Sequence, residues 1–335
     1  MTLQPGERVA ILGVGYAVPA LVRTNTDPAF SWLLAQRPEN VDLFIGFEER
    51  RVLGEGESLG SLMAEAAARA LSMAGIAADE VDLLLDYGSV GEYLEPNALA
   101  QVHRDLSLRE DAWVLPVASG YTNFLDGLHL ARALLESGRA RHALVVCGCD
   151  WTRRVDYRRA ESIGAADGAG AALLSVTSAR EPFAVLDTAS HTSTEHYGVM
   201  SLECRRGHLA IPGTPRAAEA GPIFHLNQGA REAYQGWAMT TPGALCNALL
   251  QRQGISGADV TLIAHQSSRN LLDAWAEAIR PAQLLDTLAR FGNLTLASIP
   301  VTLAACYREI QTRYVVLLGV GIQLQLRALL LGHAR

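Results

Sequence analysis

A histidine and an asparagine in the C-terminal part of this chain sit where polar groups can act on a substrate. The apolar run Ile263-Ala264 ends in His265-Gln266, and Phe291-Gly292-Asn293 leads into a second apolar stretch. Open α/β sheets keep their chemistry at such strand ends and helix starts. A neutral imidazole works as a general base or as a hydrogen-bond donor. Taken alone, His265 also reads as a satisfied strand-end histidine. Asn293 reads either as the N-cap of the next helix or as a donor to a substrate carbonyl. Tyr121, at the start of another helix, belongs with them. A phenol of pKa near 10 is a poor nucleophile at neutral pH, so its natural uses are filling space, binding substrate and donating a proton.

The elements that must position these residues come in two matching sets. A helix over Leu59 to Ala74 stops at Gly75, and a buried strand follows from Val81. A helix over Ala244 to Gln253 stops at Gly254, and a strand follows from Val260. At the same offset His265 corresponds to Asp86, which the spacing puts just past its strand. A helix over Phe124 to Glu136 leads into the strand Ala143 to Cys147, and one over Ser298 to Ile310 leads into Tyr314 to Leu318. Tyr121 and Gly292-Asn293 therefore occupy related places. Val9 to Leu12 and Phe183 to Leu186 open the two halves. Gly168 to Leu174 and Gln323 to Leu331 close them. Strands without strict alternation imply sheets covered on both faces. The expected fold is α/β, five layers αβαβα, with two sheets around a central helical layer. The halves are 1–180 and 181–335, and the Gly-, Pro-, His- and Arg-rich stretch 190–236 is expected to form a cap or insertion over the site.

Composition narrows the chemistry. In 335 residues the hydrophobic share is 49% and the charged share 19%, which predicts a large core. The net charge of −7 argues against nucleic acid as a partner. The sequence has no lysine, which excludes Schiff-base chemistry and a P-loop. Arg153-Arg154 and Arg158-Arg159 form the densest cationic stretch, either a solvated loop or a contact for a phosphate or an acidic carrier. Cys147, Cys149, Cys204, Cys246 and Cys306 form no Cys-x-x-Cys and read as buried thiols of a cytoplasmic protein. His191, His196, His208 and His225 have no common zinc spacing, so no metal is expected. Gly13-Val14-Gly15 lacks the third glycine of a dinucleotide fingerprint. No apolar run reaches membrane-spanning length, and no secretory signal precedes Val9.

Ordered along most of the chain, several segments resemble the thiolase superfamily, most closely its ketoacyl-acyl-carrier-protein synthase III branch. These are Ile11-Leu12-Gly13-Val14-Gly15-Tyr16-Ala17-Val18-Pro19, Gly46-Phe47-Glu48-Glu49-Arg50-Arg51, the turn Asp167-Gly168-Ala169-Gly170-Ala171, His265-Gln266, Gly292-Asn293 and Ala297-Ser298-Ile299-Pro300. The resemblance implies a Cys-His-Asn set. The cysteine, at a helix N-terminus, takes an acyl group from a thioester. The histidine and asparagine hold the carbonyl of a second substrate, and backbone N–H groups stabilise the oxyanion. Gly321 corresponds to the glycine near that oxyanion hole, to within about one residue. Phe124, Ser268 and Asn270 are carried over as substrate-binding candidates.

The cysteine is missing. The family segment Asp-Val-Ala-Ala-Ala-Cys-Ala-Gly-Phe aligns with Pro116-Val117-Ala118-Ser119-Gly120-Tyr121-Thr122-Asn123-Phe124, so Tyr121 takes the nucleophile's place; a small shift would bring Ser119 there instead. Phe44-Ile45 and Ser267-Ser268-Arg269-Asn270 also depart from the segments associated with coenzyme A. The resemblance thus implies an acyltransferase of specialised, polyketide-type metabolism. It would move an acyl group directly from a carrier-protein or coenzyme A thioester to a small-molecule acceptor, without a cofactor of its own. The alternatives are a non-catalytic partner of an active synthase and a malonyl-thioester decarboxylase. By analogy the chain forms a homodimer, or a heteromer in the partner reading.

Overall fold

The computed structural model describes residues 3–37, 41–93, 95–179, 182–203 and 222–333. The strands in chain order are β1 (Arg8–Ala17), β2 (Leu21–Thr24), β3 (Glu49–Val52), β4 (Leu83–Ser89), β5 (Trp113–Pro116), β6 (His142–Asp150), β7 (Asp167–Thr177), β8 (Phe183–Thr192), β9 (Met200–Glu203), β10 (Ile223–Leu226), β11 (Val260–Ala264), β12 (Gln283–Leu284), β13 (Tyr314–Val320) and β14 (Gln325–Gly332). Ten of them hydrogen-bond in the order β12-β11-β13-β14-β8-β1-β7-β6-β4-β5. Each half repeats one pattern. β4 runs parallel to β5 and β6, as β11 does to β12 and β13. β7 and β1 then add antiparallel, as do β14 and β8.

Two separate sheets were expected. The structure instead joins the halves edge to edge, because β1 and β8 pair at Ala10–Ala184 and Ile11–Phe183. The five layers survive this seam. Along β6, Ala143, Val145 and Cys147 face the central helices Asn123–Glu136 and Ser298–Ala305, while Leu144 and Val146 face the outer helix Leu59–Ala74. Along β13, Val315 and Leu317 turn inward, and Val316 and Leu318 pack under the outer helices Met239–Gln253 and Arg269–Ile279. This period-two division is why the strands are apolar on both faces. Truncating a fully buried central residue such as Leu128 to alanine costs about 2–5 kcal/mol.

Glycines mark the close approaches. A Cβ on Gly13 or Gly15 would stand 2.2 Å from the carbonyl oxygen of Ala70 or Ala66, so β1 and the helix Leu59–Ala74 touch backbone to backbone. Gly75 and Gly254 end their helices with φ of 68° and 64°, as the repeat predicts. The Asp167–Ala171 segment is the first part of β7, not a turn. The helix from Ser298 stops at Ala305, short of Ile310, and a 3₁₀ turn follows. Asp86 also departs from expectation. It lies inside β4, fully buried, where the Cys147 thiol donates to its Oδ2 at 2.6 Å. Burial holds its carboxyl well above the usual range. β11 stops at Ala264, which frees His265, whereas β4 runs on to Ser89 and seals the corresponding residue.

Candidate active site

Tyr121 sits on a turn that L-residues rarely adopt. Gly120 has φ 57° and Tyr121 φ 84°, immediately before the helix Asn123–Glu136. A bulky residue held there stores about 1–3 kcal/mol of strain, and the surroundings must fix it. The Tyr121 N–H donates to Asn123 Oδ1 at 2.8 Å, and Asn123 Nδ2 donates back to the Val117 carbonyl. The Ile322 N–H donates to the Gly120 carbonyl at 2.8 Å. Gln325 Nε2 donates to the Ser119 carbonyl and to Thr122 Oγ1. Asp126 gathers the other side: Ser119 Oγ and Thr122 Oγ1 donate to its Oδ2 at 2.6 and 2.8 Å, and Arg327 Nε to its Oδ1 at 2.6 Å.

His265 and Asn293 come from the second half. The His265 N–H donates to the Leu318 carbonyl at 2.9 Å, extending the parallel ladder by one residue. The next side chain pins the loop. Gln266 Nε2 donates to the Ala264 carbonyl at 2.7 Å, and Gln266 Oε1 accepts from Thr287 N at 2.9 Å. The His265 ring is buried, neither of its nitrogens has a hydrogen-bond partner among the described residues, and burial pushes its pKa down to about 4. The imidazole is therefore neutral at pH 7. Asn293 N donates to the Gly164 carbonyl at 2.8 Å, and its Oδ1 accepts from Thr295 N at 2.8 Å. That orientation leaves Nδ2 without a partner among the described residues. Behind it the buried Arg50 holds the Ile163 carbonyl through Nε at 2.6 Å, next to the Gly164 that receives Asn293.

These groups converge. Tyr121, His265, Asn293 and Gly321 line one cavity of about 120 Å³, whose remaining wall is mainly apolar and aromatic, with Phe44, Trp151, Phe224, Tyr234 and Trp237. The Tyr121 and His265 rings stack with centroids 6.4 Å apart and planes 12° from parallel. Burial raises the Tyr121 phenol above its usual range, so it stays protonated. Part of the 190–236 stretch lies over this space: Val199 and Met200, Phe224 and Leu226, and the helical run from Ala230 through a π turn at Tyr234–Ala238 all reach the wall. Ser190 to Thr192 belong to β8 instead, and 204–221, with Cys204 and His208, lie outside the described residues.

Other candidates are not brought to the cavity. Ser119 is not among the residues that line it, and its Oγ donates to Asp126 Oδ2 at 2.6 Å. Phe124 is buried in the central core. Ser268 shares a 2.8 Å hydrogen bond with the Tyr234 hydroxyl, and Asn270 Nδ2 donates to the Asp42 carbonyl at 3.4 Å; neither lines the wall. Gly321, the candidate glycine near the oxyanion hole, is at the cavity, and its N–H donates to the Gln325 carbonyl at 2.9 Å. Within the cationic stretch Arg154, Arg158 and Arg159 pair with Asp150, Asp156 and Glu161. The sequence reading missed Asn123 and Gln325, the residues that tie up the turn. Neither carries a local signal, because the Asn123 side chain reaches back to the N–H two residues before it and Gln325 bonds the turn from the other half.

The sequence profile of 3-oxoacyl-[acyl-carrier-protein] synthase III matches residues 117–194, and that of its C-terminal part matches 250–332. The chain is 27% identical to the β-ketoacyl-[acyl-carrier-protein] synthase III of Coxiella burnetii, over 89% of this chain and 90% of that protein. It is 29% identical to the synthase III of Rhodospirillum rubrum, over 90% of this chain and 91% of that protein. The priming β-ketosynthase of the R1128 polyketide pathway superposes with a TM-score of 0.83 at 21% identity, over 97% of this chain and 96% of that one. The duplicated sheet, the helical layer between its halves and these matches along both halves make the chain similar to the ketoacyl synthases III over most of its length.

Proposed function

We propose that this protein holds a malonyl-type thioester, presented on a carrier protein or on coenzyme A, and decarboxylates it without forming an acyl-enzyme. The observation that carries the reading is the pairing of two open side-chain donors, on neutral His265 and on Asn293, with a protonated phenol at the elbow. The thioester carbonyl accepts from the cavity-facing ring nitrogen of His265 and from Asn293 Nδ2. The bond to the carboxylate breaks, carbon dioxide leaves, and its electron pair moves onto that carbonyl oxygen as an enolate. The Tyr121 hydroxyl gives its proton to the enolate carbon and recovers one from water. If the enolate carbon attacks the carbonyl of a second acyl thioester in place of taking the proton, a carbon–carbon bond forms, that thioester's thiolate leaves, and the same step becomes a condensation.

Direct acyl transfer to a small-molecule acceptor is less well supported. It asks His265 to act as a base, which burial disfavours, and the backbone N–H groups at Tyr121 and Gly321 are already bonded. A homodimer fits β5, an edge strand whose Trp113 is 53% exposed.

The test is carbon dioxide release from malonyl-carrier and malonyl-coenzyme A thioesters, with intact-mass analysis of the protein. Release without a protein adduct, reduced about 10²-fold or more in His265→Ala and Asn293→Ala, is the expected result. A stable acyl adduct on Tyr121 would overturn the non-covalent reading. Absence of any turnover, with tight binding to an active synthase, would favour the partner-subunit reading.

A further inference from the structure

The phenol is only half of what separates this elbow from a covalent one. An acyl-enzyme passes through a tetrahedral oxyanion, which needs N–H donors aimed at it from the nucleophile's own turn. Here the Tyr121 N–H is bonded to Asn123 Oδ1 at 2.8 Å. Asn123 is itself buried, 2% exposed, and is anchored through its Nδ2 to the Val117 carbonyl. Its carboxamide oxygen thus serves as a fixed internal acceptor for the very donor an oxyanion would require. In the segment this chain resembles, the matching residue is a glycine, which has no side chain to do this. Asn123 is also absent from the cavity wall, so substrate contact does not explain it.

We infer that Asn123 is a specificity-determining residue that closes the elbow against acylation, independently of the atom at position 121. The inference rests on the reading that the native reaction is non-covalent. It predicts that restoring a thiol alone fails. In Tyr121→Cys the sulfur attacks the thioester carbonyl. Its proton passes to the departing thiolate, as the new carbon–sulfur bond forms and the old one breaks. The oxyanion formed on the way still lacks the elbow donor. In Tyr121→Cys/Asn123→Gly that N–H is released.

The experiment compares acetyl-coenzyme A acylation of the two variants by intact mass, with iodoacetamide alkylation as the control. Alkylation displaces iodide and forms no oxyanion, so it reports access to the thiol alone. The expected result is acylation about 100-fold faster or more in the double variant, with alkylation alike in both. Equal acylation rates in the two variants would overturn the inference, and so would a folded double variant that alkylates but never acylates. If Asn123→Gly unfolds the chain, Tyr121→Cys/Asn123→Ala is read by the same criteria. An adduct on Tyr121 in the unaltered protein would sink the non-covalent reading, leaving the comparison of the two variants to decide the role of Asn123.

Discussion

The Tyr121 ring lies nearly parallel to the His265 imidazole, centroids 6.4 Å apart and planes within 12°. The two come from different halves of the chain, so this contact ties the first half's turn to the second half's strand end. Tyr121→Phe keeps the ring and removes only the hydroxyl. Its expected effect is a fall of about 10-fold to 10²-fold in carbon dioxide release, with thermal stability nearly unchanged because the hydroxyl bonds none of the described residues. Unchanged release would remove the phenol from the proposed proton transfer.

Acid should expose the buried imidazole. The folded-state pKa of His265 is about 4, below the 6.5 expected of the unfolded chain. Between those values the unfolded state binds the extra proton. Stability therefore is complete above about pH 6.5 and declines as pH falls toward 4, by up to about 3 kcal/mol from this residue. Urea unfolding across that window should show the slope, and His265→Gln should flatten it.

Asp126 anchors the turn from behind, and its loss should be structural. Asp126→Ala removes three acceptor bonds, to Arg327, Ser119 and Thr122, and should cost about 2–3 kcal/mol by denaturant unfolding. Ser119→Ala should cost about 1 kcal/mol and leave turnover intact. A catalytic serine would give the opposite pattern, a stable protein without activity.

Gly170 tests the central packing. A Cβ there would stand 2.7 Å from the backbone of Pro300 and Val301. Gly170→Ala should destabilise by about 1–3 kcal/mol, because β7 and the helix Ser298–Ala305 cannot separate without disturbing both halves. A melting temperature equal to that of the unaltered protein would show that the layer has more slack than this contact allows.

The repeat, the layers and the three converging residues were legible because each leaves a local trace. Glycine stops mark the helix ends at Gly75 and Gly254, and a polar break at His265 marks a strand end. What the sequence hid was set by partners far away in the chain. The bond that occupies the Gly321 N–H depends on the turn made by Gln325. The orientation of Ser119 depends on Asp126, which in turn is held by Arg327 from β14. Asp86 looked like the twin of His265 until pairing with β6 carried β4 three residues further. Strand length there follows from the neighbour's ladder, which no local pattern encodes.

The seam between the halves bears on how such a pocket changes over evolutionary time. Among the described residues Ala10–Ala184 and Ile11–Phe183 pair across it, and Tyr121 is delivered from one side and His265 and Asn293 from the other. A mutation that remodels the turn meets the opposite half directly, because Ile322, Gln325 and Arg327 hold that turn from there. A change of chemistry at the turn therefore has to be accommodated by both copies at once, and selection acts on the two as one unit.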